Sequence, residues 1–263
     1  MTLSDDESLA TFLDHLADAA AKAIMPHFRA STEVTNKAAA HFDPVTAADR
    51  DAEAAMRQLI AATYPEHGIV GEEYGPERAD ARFVWVLDPI DGTRSFITGL
   101  PVWGTLIGLL EDGKPRLGMM AQPFTGERFA GDGKRAWYTG PGGPKPIKTR
   151  AAASLAEAAL FTTSPYLFSA LEGEAYRRIE KSVRLARYGC DCYAYCMVAA
   201  GQADIVVEAG LQPYDIVALI PIVEGAGGRL TAWDGGSAAA GGRVCASGDP
   251  RLHEEVLAEL GKA

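Results

Sequence analysis

Three apolar stretches, 83–88, 103–111 and 115–122, follow one another in quick succession. Strands this close in sequence pair as neighbours in an antiparallel or mixed sheet. Beyond residue 147 the pattern becomes an alternation. Strands near 158–163 and 184–188 each precede a helix, near 173–183 and 191–200. ADIVVEAG then reads as a strand, and PYDIVALIPIVEGAGG as a helix with Pro213 early and glycines at its end. RLTAW and RVCAS are strands, and DPRLHEEVLAEL closes the chain as a helix. Alternation of this kind builds a layered α/β half. TGPGGPKP, 139–146, between the two patterns, is the best linker candidate. The expected organisation is one domain over 1–263 made of two α/β subdomains, 1–140 and 147–263, with a cleft between them.

Upstream, Ser4-x-x-Glu7 is a capping box, and Leu9, Leu13, Leu16, Ala20 and Ile24 recur at helical spacing toward Pro26. Thr46-x-x-Asp49 can cap a second helix running to about Tyr64, where Pro65 stops it. HGIVGEE reads as a short strand running into Glu72 and Glu73. With 263 residues, 48% of them hydrophobic, the chain can bury a sizeable core. A net charge of −10 argues against nucleic acid as a partner. No apolar run reaches the length of a membrane span, and the acidic start MTLSDDESLA shows no signal peptide, so the expected location is cytoplasmic. Cys190, Cys192, Cys196 and Cys245 match no standard zinc spacing and read as free thiols in a core. His15, His27, His41, His67 and His253 read as surface or helix residues. Ser164 and Ser247 lack a nucleophile elbow, and GAGG at 225–228 reads as a helix C-cap rather than a nucleotide loop.

The acids carry the chemistry. In WVLDPIDGTRSF an apolar strand ends in Asp88, and Asp91 follows across Pro89 and Ile90. Glu72 ends a strand, Asp215 starts a helix, and Asp49 lies in the first turn of another. Taken singly, each is ordinary capping or turn chemistry. Taken together, acids at element ends are the oxygen ligands that hard divalent cations require, and two such ions can activate a water in phosphoryl transfer. Gly92 lets backbone approach a ligand, Thr93 adds a hydroxyl and an N–H, and a helix starting near Arg94 would offer its N-terminus to phosphate.

DPIDGTRSF closely resembles the central signature of the inositol monophosphatase family of metal-dependent phosphatases. DPVTAADRDAE, VGEE and PYDIVALIPIVEGAGG follow the family's other signatures in order, so the resemblance runs from about Phe42 to Gly228. It implies a layered αβαβα sandwich of the sugar-phosphatase type with the active site between two subdomains. It implies Glu72, Asp88, Asp91, Asp215 and the Ile90 carbonyl as ligands for two or three Mg²⁺ ions. It also implies that Thr93 and Asp49 position and deprotonate the attacking water, and that the Gly92 and Thr93 N–H groups hold the phosphate, with Asp43 and Glu73 in support. The Trp usual before the last metal Asp is Tyr214 here, which reshapes the pocket wall. A homodimer is the family expectation.

The alcohol half of the substrate is read from CDCYAYCMVAAGQADIVVEAG. Glu208 matches a substrate-contacting Glu of the inositol phosphatases, and Asp191 replaces a small apolar residue. Two carboxylates there favour a cationic substrate, although Asp191 reads equally well as a helix N-cap. The wording around these residues resembles the histidinol-phosphate phosphatase branch of the family. Trp103, Tyr188 and Tyr193 are available to an imidazole and read equally well as core. The expected activity is hydrolysis of L-histidinol phosphate, in histidine biosynthesis. The alternatives are inositol 1-phosphate, another small sugar or nucleotide phosphate, or a non-catalytic metal-dependent binding protein on the same fold.

Overall fold

The computed structural model describes residues 5–30, 35–36, 44–45, 47–152 and 154–261. Ser4, His41, Asp43 and Thr46 lie outside them, and with them the start of both expected capping boxes. The chain opens with α1 (Asp5–Ile24), the two-residue strands β1 (Thr35–Asn36) and β2 (Pro44–Val45), and α2 (Ala47–Thr63). Then come β3 (Gly68–Gly71), β4 (Gly75–Glu77), β5 (Phe83–Asp91), the single turn α3 (Thr93–Ile97), β6 (Gly104–Glu111), β7 (Lys114–Gln122), β8 (Glu127–Gly131), β9 (Ala136–Thr139) and β10 (Lys145–Pro146). The second part holds β11 (Ala159–Thr162), α4 (Ala170–Ser182), β12 (Leu185–Tyr188), α5 (Asp191–Ala199) and β13 (Ile205–Leu211). It ends with α6 (Pro213–Ile216), α7 (Leu219–Gly225), β14 (Arg229–Ala232), β15 (Gly242–Ser247) and α8 (Pro250–Leu260).

Two mixed sheets result. The first has eight strands in the order β10-β9-β8-β7-β6-β5-β3-β4, antiparallel except where β3 meets β5. The second has five, β12-β11-β13-β15-β14, parallel where β11 meets β12 and β13. Helices α1 and α2 cover the outer face of the first sheet, α4 and α8 flank the second, and α5, α6 and α7 lie between the sheets. The layering is therefore αβαβα. Leu13, Leu16 and Ile24 of α1 pack on Met56, Ile60 and Trp85 in the outer core, so the helical spacing read at the start of the chain is a buried face.

The expected linker is a hairpin. Gly142 and Gly143 take positive φ values of 93° and 83° and turn β9 into β10, which closes the first sheet. Glycine is suited to this tip because a Cβ would strain both positions. The chain crosses to the second sheet only after Pro146. The strands β8 and β9 went unread because each is short and lies among glycine and charged residues. PYDIVALIPIVEGAGG is two helices rather than one. Val217 and Ala218 keep helical dihedrals, but Pro221 has no N–H to return to Val217, and the hydrogen-bonded run is interrupted there. Gly227, at φ 96°, ends α7 as expected, with the Gly228 N–H reaching the Val223 carbonyl at 3.0 Å.

Three glycines place α6 and α7. Gly108, Gly118 and Gly131 stand side by side on β6, β7 and β8. A Cβ on Gly118 would lie 1.9 Å from the Ala218 carbonyl oxygen, and one on Gly131 would lie 2.3 Å from that of Pro221. The sheet thus presents bare backbone to the helix, and Asp215 is carried down toward the ends of β5. Three of the four cysteines are buried as expected, with Cys190 partly so. His253 is a helix residue, as expected, but not a surface one. It is fully buried on α8, bonded to Thr231 at 2.9 Å and Ser247 at 3.2 Å, and burial lowers its pKa to about 4.

The glycine contact yields a prediction. Gly118→Ala forces the sheet and the α6–α7 segment apart, and overpacking of this kind costs about 1–3 kcal/mol. Urea denaturation should show a lower midpoint with an unchanged slope. A wild-type midpoint would refute the close-approach argument.

Candidate active site

β5 bends where it reaches the cleft. Asp88 pairs with Leu106 but Asp91 pairs with Gly104, so three steps on β5 answer two on β6. In a regular strand, residues three apart face opposite sides. The extra residue is a bulge, and it turns both carboxylates to the same side. Pro89 costs no ladder bond at such a point, and its carbonyl accepts from Thr105 Oγ1 at 2.8 Å. Asp88 Oδ1 accepts the Ile90 N–H at 3.1 Å, and the Ile90 carbonyl accepts from Thr93 Oγ1 at 3.1 Å.

Asp88, Asp91 and Asp215 come together, each with an oxygen within 4.8 Å of the others. Each is aimed by a backbone N–H. Asp91 Oδ2 accepts from Cys192 at the start of α5, and Asp215 Oδ2 accepts from Gln212, both at 2.7 Å. Glu72 is not one of that close group, but its charge acts on both Asp88 and Asp215. Burial raises the pKa of Asp88, and the charges of Glu72, Asp91 and Asp215 raise it further. Asp91 is raised by burial and then by Asp191 and Asp215. Burial lifts Asp215 to about 7 against the pull of the Gln212 N–H.

Glu72 sits in the turn just after β3 rather than in the strand. That turn is held by Glu53, a residue that sequence reasoning quoted in a motif but gave no role. Glu53 is fully buried on α2 and accepts the N–H groups of Glu73 at 2.7 Å and Tyr74 at 3.2 Å. Arg57, one turn on, pairs with it at 2.7 Å. Asp49 is buried in the first turn of the same helix, and β2, which leads into that helix, lies beside α3.

Across the cleft, Asp191 opens α5 but is not its side-chain cap. It adopts a φ of 43°, and its Oδ2 accepts from Ser95 Oγ at 3.0 Å. A Cβ on Gly92, whose φ is 83°, would stand 2.8 Å from that same oxygen. Burial raises the pKa of Asp191, opposed by the hydroxyls of Ser95 and Thr163 and by Arg94. Glu208 is buried at the bulged end of β13 and accepts from the Thr163 N–H at 2.5 Å and Thr162 Oγ1 at 3.2 Å. Burial lifts it to about 8. Of the three aromatic candidates, Trp103 is wholly buried against Phe28 and Phe96. Tyr193 turns away and donates to Glu127 at 2.6 Å, and Tyr188 is half-exposed with its hydroxyl on Glu180.

A model of the inositol monophosphatase family matches residues 5–263. The chain belongs to the inositol monophosphatase family. It is a phosphatase, a hydrolase of phosphomonoesters. The bifunctional phosphatase IMPL2 of Arabidopsis thaliana is 44% identical, over 98% of this chain and 77% of that one. The histidinol-phosphatase of Mycobacterium tuberculosis is 36% identical over 82% of this chain and 84% of its own. The solved structure of an inositol monophosphatase from Zymomonas mobilis superposes with a TM-score of 0.87 at 43% identity, covering 98% of this chain and all of that one. Among the described residues no helix is long and apolar enough to cross a membrane.

This phosphatase family is generally metal-dependent, and the donor set fits a hard cation. Asp88, Asp91 and Asp215 are oxygen donors, crowded and largely buried, and their pKa values are raised together. Protons are what hold such a cluster together when no cation does. A cation must therefore displace protons, and its affinity falls as pH drops through the raised values. Calorimetric titration of the metal-stripped protein with Mg²⁺ should show clearly weaker binding at pH 6 than at pH 8. An affinity that does not change with pH would count against the cluster as the binding site.

Proposed function

We propose that the protein hydrolyses L-histidinol phosphate in a Mg²⁺-dependent reaction, as a cytoplasmic homodimer. One observation carries the substrate reading. Asp191 sets a carboxylate against the Gly92 turn, and Glu208 sets another on the neighbouring strand end. Two acids beside a phosphate turn suit an ester whose alcohol carries an ammonium, as histidinol does. The histidinol-phosphatase relatives, at 33–36% identity, support the same choice. Inositol 1-phosphate is the second reading, favoured by the likeness to the Zymomonas mobilis inositol monophosphatase.

In this reading the N–H groups of Gly92 and Thr93 hold the phosphate. Glu72, Asp88, Asp91, Asp215 and the Ile90 carbonyl would hold two or three Mg²⁺ ions. Bound there, the ions would supply Lewis acidity and a water of lowered pKa. Thr93 and Asp49 orient the attacking water and take its proton. The Thr93 hydroxyl already lies on the Ile90 carbonyl, one step from the acids. Asp191 and Glu208 hold the ammonium, so that the leaving alcohol points away from the carboxylate cluster. An imidazole would extend toward the outer rim, since Trp103 and Tyr193 are committed elsewhere.

Phosphate release from histidinol phosphate and inositol 1-phosphate, with and without Mg²⁺, tests the proposal. Turnover should need the ion, and histidinol phosphate should be preferred. Asp191→Asn should raise KM for histidinol phosphate about tenfold or more, the loss expected for a charged hydrogen bond. It should hardly alter KM for inositol 1-phosphate, and equal effects on both would refute the role. Thr93→Ala should lower kcat about 10²–10⁴-fold with the fold intact. A purified variant with normal kcat would remove Thr93 from the chemistry.

A further inference from the structure

Ser95 belongs to no expected ligand or catalytic set, yet it is buried, with only 6% of its surface exposed. It sits on α3, two residues after Thr93, and its hydroxyl reaches Asp191 at 3.0 Å, across 96 residues of chain. Thr163, just after β11, gives its backbone N–H to Glu208 at 2.5 Å, so the second acid is held from its own side of the cleft.

Asp191 needs this support. Its φ of 43° lies in the left-handed region, which a non-glycine residue adopts only when its surroundings hold it there. The backbone just after it is pinned as well, by the Cys192 N–H on Asp91. A free aspartate at a helix start would turn to its own N–H groups, whereas this one faces the phosphate turn.

We propose that Ser95 is a positioning residue that fixes Asp191 beside the Gly92–Thr93 turn, and so sets the preference of this phosphatase for monoesters bearing a cationic amine. The inference rests on the proposed substrate reading and adds the device that enforces it. Ser95 donates toward Asp191 from the element that holds the phosphate turn, so the amine-binding acid is registered to that turn.

Steady-state kinetics on the full chain with histidinol phosphate and inositol 1-phosphate test this. Ser95→Ala should raise KM for histidinol phosphate about tenfold, with a much smaller change in kcat. The ratio of kcat/KM between the two substrates should fall by the same factor. In an Asp191→Asn background the Ser95→Ala effect should largely disappear, since both changes act on one contact. Equal losses on both substrates, or full additivity with Asp191→Asn, would overturn the positioning role while leaving the substrate reading in place. A wild type that does not prefer histidinol phosphate would overturn both.

Discussion

The mutual repulsion of Asp88, Asp91 and Asp215 is the constraint around which the rest of the structure is arranged. Three largely buried carboxylates with oxygens within 4.8 Å of one another oppose folding. They remain together because each sits on an element that cannot easily move. Asp88 and Asp91 are fixed by a bulge in a strand buried at the middle of an eight-stranded sheet. Asp215 is fixed by the α6–α7 segment, whose residues 217–222 lie on bare glycine backbone at Gly108, Gly118 and Gly131. Glu72 is fixed by a turn that Glu53 holds from the helix behind. The layers thus serve to hold charges near one another that would otherwise separate.

Capping does not exclude a second role for these acids in a cluster that could hold a metal. Asp88 takes the Ile90 N–H, Asp91 the Cys192 N–H and Asp215 the Gln212 N–H, each as a cap or turn residue would. The local bond aims the carboxylate, and the second oxygen is left for the cluster. That is why no single acid could be decided from its neighbours in sequence. The local pattern of a capping aspartate and of a ligating one is the same, and only the meeting of distant acids separates them.

The order of elements was legible because most strands and helices carry a clean apolar period. β8 and β9 escaped because short strands among glycines carry almost none, and the hairpin at 140–144 was read as a linker because turn chemistry and linker chemistry share their residues. The acids were legible through motifs. Glu53, Ser95 and Thr163 were not, since their partners lie 20, 96 and 45 residues away with no periodic relation to them. Such supporting contacts are set by how layers meet, and nothing local in the sequence encodes that. The Asp191 side chain illustrates the point: a helix start predicts a cap, but α5 receives its cap from Asp91 and leaves Asp191 free to face the cleft.

On the proposed reading, charge balance ties the two halves together. A chain of net charge −10 lines its cleft with Glu72, Asp88, Asp91, Asp215, Asp191 and Glu208. A phosphate monoester entering that cleft adds further negative charge, which metal ions would balance on the Asp88 side. On the Asp191 side, Arg94 gives only a partial counter-charge among the described residues. A neutral alcohol would leave Asp191 and Glu208 to keep protons or repel the ester, whereas an ammonium neutralises them as it binds. The same acid that rewards a cationic substrate therefore also disfavours a neutral one, and selectivity follows from a burial that is costly on its own.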